Sequence, residues 1–442
     1  MELQLKNIGM ITEANVKIDG LTVIAGENDT GKSTVGKITF CIIKAISRYK
    51  EDFNESKIYK IEELLEKIFF FIRPNLDFDD SHDEIFYEEL KNILSINFYL
   101  KYIDNHEYYI ELLKEKLTDL KQDDVRTRDM VKKLLDELEY IIKTPENINI
   151  SIENALNKVF RSEFNSSIVS FGKDIGYIRL VENNLTLLDL KIENDKVYLV
   201  SDCEPISINE VTFIETPFIL NNHDLLIRSK TGLDITKRSS RRLGVPYTTL
   251  HTKDLFDKLK DNGLGFWLDR EFEDKIQNEI SNIINGKVEY DIDEKDFVYI
   301  KNNQKISIKN TATGIKSFGI IQMLLENGFI DTNTLLILDE PEIHIHPKWQ
   351  LKYAQLISLL VDNGVPVIIT SHSPYMIEAL KRYSDKEEQE EKTNFYLAED
   401  GYIKQIEESN SKTLEKIFEK LSEPFDVFEE MDSQSLGNLI NG

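Results

Sequence analysis

The chain opens on an alternation of apolar and polar residues, Leu3-Gln4-Leu5-Lys6-Asn7-Ile8, which predicts a half-buried strand. Leu21-Thr22-Val23-Ile24-Ala25 is nearly continuous in apolar character, the pattern of a strand covered on both faces. Two similar runs come late in the chain: Leu335-Leu336-Ile337-Leu338 and Val365-Pro366-Val367-Ile368-Ile369-Thr370. Helical spacing marks Thr34 to about Ala45, then 58–72, 84–97 and 107–142, where Leu113, Leu117 and Leu120 and later Leu134, Leu135 and Leu138 form an apolar stripe. Lys121-Gln122-Asp123-Asp124 breaks that stripe and is expected as a turn between two antiparallel helices. No heptad run is long enough for an extended coiled coil. Residues 167–200 alternate like a meander of strands, turning at Asn183-Asn184 and Glu193-Asn194-Asp195. An amphipathic helix is predicted over 271–285 through Ile276, Ile280, Ile283 and Ile284, stopped by Gly286. Ser384 to Lys392 is expected as a charge-dense, disordered loop. There is no internal repeat.

The candidate chemistry sits at the ends of the buried strands. Gly26-Glu27-Asn28-Asp29-Thr30-Gly31-Lys32-Ser33 fits GxxxxGK[ST] between a strand and a helix. In that context the glycines let backbone N–H groups wrap a polyphosphate, and the helix N-terminus favours its charge. Gly26, Asn28, Asp29, Thr30, Gly31, Lys32, Ser33 and Thr34 are therefore expected to hold ATP, with Lys32 on the terminal phosphates. Ser33 and Asp339, the latter at the end of the 335–338 strand, are the expected Mg²⁺ ligands. Glu340 is placed to polarise the attacking water, and His372, in Ser371-His372-Ser373-Pro374 after the last strand, to contact the γ-phosphate. Catalysis is thus expected from Glu340, His372 and Lys32.

These pieces resemble the ABC-type ATPase heads of the SMC and double-strand-break-repair class, and more closely the OLD-like (overcoming-lysogenisation-defect) ATPases. Asp339-Glu340-Pro341-Glu342-Ile343-His344-Ile345-His346-Pro347 and Thr370-Ser371-His372-Ser373-Pro374 carry the resemblance, over about residues 1–45 and 300–380. The opening strand departs from the family, with Ile8 where an aromatic is usual. The resemblance implies an α/β fold: an ABC-type P-loop head, a mixed sheet flanked by helices, with a mainly helical insertion. It implies that His344 and His346 belong to the turn into the next helix rather than to a metal site. It also implies a signature loop that completes a partner's nucleotide site. The candidate is Asn310-Thr311-Ala312-Thr313-Gly314-Ile315-Lys316, which departs from LSGGQ, with Gly314 and Lys316 approaching the γ-phosphate. The Mg²⁺-sensing Gln of such heads is not identifiable.

The motif residues Lys32 and Asp339 are 307 positions apart, far more than a compact head needs. The expected organisation is 1–57 for the first part of the head, 58–165 for a helical arm, 166–300 for a strand-rich region, and 301–442 for the rest of the head. With 442 residues and 41% hydrophobic content the chain can bury a sizeable core. Its longest apolar cluster, Ile68-Phe69-Phe70-Phe71-Ile72, is too short to span a membrane, and the strand at the very start reads as the absence of a signal peptide. Isolated Cys41 and Cys203 fit a reducing compartment, so a cytoplasmic protein is expected.

A net charge of −25 argues against a surface that coats nucleic acid. Against it stand Arg228, Lys230, Lys237, Arg238, Arg241 and Arg242, six positive charges in fifteen residues. This segment reads either as a clamp on DNA or RNA phosphates or as a docking site for an acidic partner.

Two functions follow. The first is an ATP-driven switch, resembling the ATPase subunits of bacterial anti-phage systems such as Septu and PARIS, or of DNA repair. No acidic cluster of the Toprim kind is found, so a separate nuclease or toxin partner is expected, with the ATPase forming head-to-tail homodimers or larger oligomers around ATP. The second is a transporter ATPase subunit or a stand-alone repair ATPase.

Overall fold

The computed structural model describes residues 1–73, 81–102, 105–118, 125–143, 148–165, 168–233, 246–261 and 270–423. The chain divides into two compact units, Met1–Ser47 with Ile152–Gly442 and, inserted between them, Arg48–Ser151. The inserted unit begins at Arg48 where 58 was expected and ends at Ser151 where 165 was expected. Its start falls early because no proline interrupts the helix that leaves the phosphate loop, and the one glycine in it, Gly36, lies near its beginning. That helix was expected to end near Ala45, yet it runs unbroken as α1 (Lys32–Ile72).

The regular elements among the described residues of the inserted unit are helical: the second half of α1, then α2 (Ser81–Ile93), α3 (Ile96–Lys101), α4 (His106–Thr118) and α5 (Val125–Lys143). Their apolar stripes close on one core containing Ile61, Leu65, Ile68, Leu90, Tyr99, Tyr109, Leu113 and Leu138. The turn expected at Lys121–Asp124, with Leu120, lies outside the described residues. The chain returns through α6 (Ile148–Phe164).

The larger unit is built on one eleven-stranded mixed sheet. Its antiparallel part comprises β1 (Glu2–Ile8) and β2 (Ile11–Lys17), then β4 (Ile175–Glu182), β5 (Leu185–Glu193) and β6 (Lys196–Leu199), which is the meander. The hairpins close on Asn183-Asn184 and Asn194-Asp195, all four at positive φ. Those are the two-residue turns in which the left-handed backbone matches strand twist, and Asn and Asp tolerate it.

The parallel part carries the chemistry. Here β3 (Leu21–Gly26) lies between β12 (Val367–Ser371) and β13 (Thr393–Glu399). Beyond β12 come β11 (Thr334–Asp339) and then β7 (Glu210–Ile214), while β14 (Tyr402–Lys404) joins β13 to β2. Every residue of β3, β11 and β12 is buried, because helices cover both faces.

On one face lie α7 (His223–Leu226), α8 (Leu250–Lys260), α9 (Arg270–Ile284), α10 (Thr313–Glu326), α11 (Pro347–Asp362) and α12 (Pro374–Lys386). A small antiparallel sheet of β8 (Lys287–Asp291), β9 (Asp296–Lys301) and β10 (Gln304–Ser307) adds to the same side. Together they bury Phe256, Ile276, Ile280, Phe318, Tyr353 and Leu380 against β3, β11 and β12.

The loop expected over Ser384–Lys392 is largely ordered. Helix α12 reaches Lys386, Ser384 is buried against Thr393, and buried Gln389 donates from Nε2 to the Ser358 carbonyl at 3.1 Å. Two inward polar side chains hold what the charge density disguised. Among the described residues no helix is long and apolar enough to cross a membrane. The architecture is α/β, a mixed sheet flanked by helices.

Candidate functional site

The carboxyl ends of three adjacent parallel strands meet in register. Ser371 is level with Ala25, and Asp339 is level with Thr370. Residues immediately beyond these positions therefore share one edge of the sheet, where open α/β sheets bind ligands.

The phosphate loop leaves β3 there. Gly31 has φ +89° and a Cβ on it would lie 2.7 Å from Ile11 Cγ1, so both backbone conformation and space demand glycine. Asp29 also adopts a left-handed conformation, φ 65°. Thr30 closes the turn through its hydroxyl to the Glu27 carbonyl at 2.8 Å, and the loop tip Glu27–Asp29 is exposed. Buried Lys32 folds back over the loop, its Nζ donating to the Gly26 carbonyl at 3.0 Å and the Glu27 carbonyl at 2.6 Å. It also stands 3.4 Å from Glu340 Oε1.

Asp339 closes the β11 end and is buried. Burial raises its pKa, opposed by hydrogen bonds from Thr370 and Ser33; the Thr370 hydroxyl donates to Oδ1 at 2.6 Å. A desolvated carboxylate beside a serine hydroxyl is a site short of positive charge. Two hard oxygen donors of this kind suit Mg²⁺. Among the described residues no larger group of His, Cys, Asp and Glu is arranged to hold a metal.

Glu340 sits at φ 46°, a conformation a glutamate adopts only when its surroundings impose it. Its N–H bonds Thr370 through both the backbone carbonyl (3.2 Å) and the hydroxyl (3.0 Å). This bend leaves Oε1 between Lys32 Nζ and His372 Nδ1, the latter at 3.5 Å. His372 is partly exposed at the end of β12. The sequence motifs thus converge: Lys32, Ser33, Asp339, Glu340 and His372 share one edge.

Glu342 was missed by sequence reasoning. It is buried, and its Oε1 accepts from Ser371 Oγ (2.7 Å), the His372 N–H (2.8 Å) and the Ser373 N–H (3.2 Å). Burial raises its pKa against those bonds. Ser373 in turn caps α12 and donates to Gln350 Oε1 at 2.7 Å, and Gln350 donates to the Ile345 carbonyl at 3.0 Å. The carboxylate that shapes the His372 turn therefore comes from the β11 loop. The only sequence signal was a third acidic residue two places after Glu340.

The signature candidates lie elsewhere than expected. Gly314 is buried, and a Cβ there would overlap the ring of Trp349 on α11. Lys316 is also buried, with Nζ 5.8 Å above the Phe218 ring and a pKa lowered by burial. Both face inward, because α10 is apolar nearly all round and packs its first turn against α11. The exposed residue at this helix end is Ala312, with Thr311 and Thr313 half-buried beside it.

His344 and His346 serve the turn into α11. The first meets the Phe218 ring edge-on at 5.6 Å, and the second caps the helix by accepting from the Lys348 N–H at 3.2 Å. Of the basic segment, Arg228 is exposed and Lys230 pairs with Tyr247 in an isolated bridge. Lys237, Arg238, Arg241 and Arg242 lie outside the described residues. Cys41 and Cys203 form no disulfide, and burial pushes both thiols up.

Residues 248–377 match the family described as AAA ATPase domain. A stretch of 49 residues is 39% identical to the Septu protein PtuA of Bacillus thuringiensis, covering 11% of this chain and 12% of that protein. The matched part thus spans about one eighth of the relative's length. The SMC head domain from Thermotoga maritima aligns over 90% of this chain and 93% of its own, at 9% identity and a TM-score of 0.32. An ATP-binding cassette of an ABC transporter, in its ADP conformation, aligns over 98% and 99%, at 12% identity and a TM-score of 0.33.

Proposed function

We propose that this chain, an SMC-like P-loop ATPase, is the ATP-hydrolysing switch of a bacterial anti-phage defence or repair complex that controls a separate effector protein. The observation that carries the reading is the convergence of Lys32, Ser33, Asp339, Glu340 and His372 on one sheet edge. The short identity to a Septu protein supports the defence setting.

In this reading the exposed loop Glu27–Thr30 wraps the phosphates with its backbone N–H groups, and Lys32 leaves its carbonyl partners for the terminal phosphates. Ser33 and Asp339 would hold Mg²⁺, which would supply positive charge against the phosphates when bound. Glu340, released from Lys32, accepts the proton of the attacking water. His372 donates a hydrogen bond toward the γ-phosphate from a turn fixed by Glu342. A second copy of the head closes over the nucleotide in a cyclic dimer.

The test has two stages. Purified protein should hydrolyse Mg-ATP, slowly, and lose this with Lys32→Ala. Expressed with its neighbouring genes, the wild type should protect cells from phage and Lys32→Ala should not. Hydrolysis without protection would leave an ATPase with another task; no hydrolysis and no binding would overturn the reading altogether.

A further inference from the structure

A chain of charged side chains outside the nucleotide motifs runs into the site from one flank. Strand β7 pairs in parallel with β11, with Ile214 level with Leu338. Glu215, the next residue, therefore emerges on the same sheet edge as Asp339, and its charge acts on that carboxylate. One Glu215 oxygen accepts from Lys37 Nζ at 3.0 Å, on the helix that begins at Lys32. The other lies 3.1 Å from His251 Nε2, on the first turn of α8. The opposite ring nitrogen of His251 is 2.6 Å from Glu163 Oε1 of α6.

Burial is graded along this chain. The Glu215 side chain is 40% exposed, His251 2% and Glu163 0%. The His251 ring is further boxed by Phe213 at 4.8 Å and Phe40 at 6.1 Å. One end is thus rigid and dry, and the other is open toward the nucleotide edge. Helix α8 is fastened a second time, where Asp254 and Lys258 form a closed set of ion pairs with Lys44 and Glu210, all at 2.7–3.1 Å. Just ahead of α8, Lys230 and Tyr247 pair in an isolated bridge, and Tyr247 lies three residues before Leu250, where the helix begins.

We propose that Glu215 is a positioning residue of the ATPase site, held by His251, and that this link couples the segment ahead of α8 to the nucleotide. The proposal rests on the ATPase reading above. Glu215 accepts hydrogen bonds only, so beside Asp339 it orients water, while His251 sets which way its carboxylate points. A shift of α8 moves His251, frees Glu215 and slows hydrolysis without touching the phosphate loop. The same link read backwards lets Mg-ATP alter α8, as reciprocity of coupled sites requires.

The experiment compares Glu215→Gln, His251→Gln and the double variant with the wild type, after thermal melting shows that each folds. Glu215 is half-exposed and tolerates the change even where buried His251 does not. Glu215→Gln is expected to lower kcat roughly tenfold while the affinity for a fluorescent ATP analogue stays within about threefold, since the loss falls on the transition state. The double variant should be no worse than the poorer single one, because both break one link. Independently of turnover, Mg-ATP added to Glu340→Gln protein should change amide exchange in residues 249–256, and Glu215→Ala should abolish the change. Normal kcat in Glu215→Gln with an intact exchange response overturns this proposal alone. A wild type that binds no Mg-ATP overturns it together with the ATPase reading.

Discussion

Glu342 Oε1 accepts the backbone N–H of His372 at 2.8 Å, so a carboxylate from the β11 loop dictates the conformation of a turn on β12. Two further donors, Ser371 Oγ and the Ser373 N–H, converge on the same oxygen. Removing that acceptor strands three buried donors at a cost of about 1–3 kcal/mol each at most. Glu342→Ala should therefore lower both the melting temperature and kcat. Glu342→Gln, which keeps one carbonyl oxygen, should recover most of the stability and part of the rate. Equal damage from both variants would mean that charge, not acceptance, is what the turn requires.

Lys32 and Glu340 are joined in the structure, 3.4 Å apart, and separate in function. Lys32→Ala should abolish ATP binding in a filter or fluorescence assay. Glu340→Gln should keep binding and lose hydrolysis by about 10²–10⁴-fold, the usual worth of a general base. Hydrolysis at the wild-type rate in Glu340→Gln would remove Glu340 from the chemistry.

The His251 link carries a pH signature. Burial opposes the charged ring, but its hydrogen bonds to Glu163 and Glu215 and the charges of those carboxylates outweigh it and raise His251 from 6.5 to about 9. The stabilisation is then full below pH 6.5 and disappears as pH rises through about 9. Glu215, lowered from 4.5 to about 2 by its hydrogen bond to His251 against burial, has its share above pH 4.5, lost as pH falls through about 2. The melting temperature of the wild type should exceed that of His251→Gln most between pH 4.5 and 6.5, and the gap should close toward pH 9.5. A gap constant with pH would show that His251 is neutral when folded.

Lys316 tests where the partner-facing surface lies. It is 3% exposed and its pKa is lowered by burial, so Lys316→Met should leave stability unchanged or raise it. Light scattering on Glu340→Gln protein with Mg-ATP should then still report a dimer. Loss of that dimer on Lys316→Met would return the lysine to the partner's phosphate.

For the basic segment, reversal of Lys237, Arg238, Arg241 and Arg242 to Glu should weaken nucleic-acid binding and flatten its salt dependence, because fewer counterions are released. ATP hydrolysis should survive. A wild type that binds no nucleic acid at low salt, with a variant that fails only to hold its effector, would make the segment a protein docking site.

The sequence by itself determined the parts of this protein that are local. Gly26 to Ser33 bends the same way wherever the strand before it is buried, and Leu335–Asp339 spells a buried strand with its carboxylate at the end. Asn183-Asn184 and Asn194-Asp195 announced their hairpins because a left-handed turn is chosen by the residues inside it. What periodicity could not convey was which polar side chains turn inward. Ser384 and Gln389 look like surface in a charged run until α12 and β13 cover them. Gly314 and Lys316 look like a phosphate loop until Trp349 and Phe218 close on them. Glu163, Glu215 and His251 are far apart in the chain, and nothing in their neighbours announces a link. Only the packing of α6 and α8 beside β7 brings them together, because a charge is buried where partners from other elements meet it, and that is a property of the fold rather than of any segment.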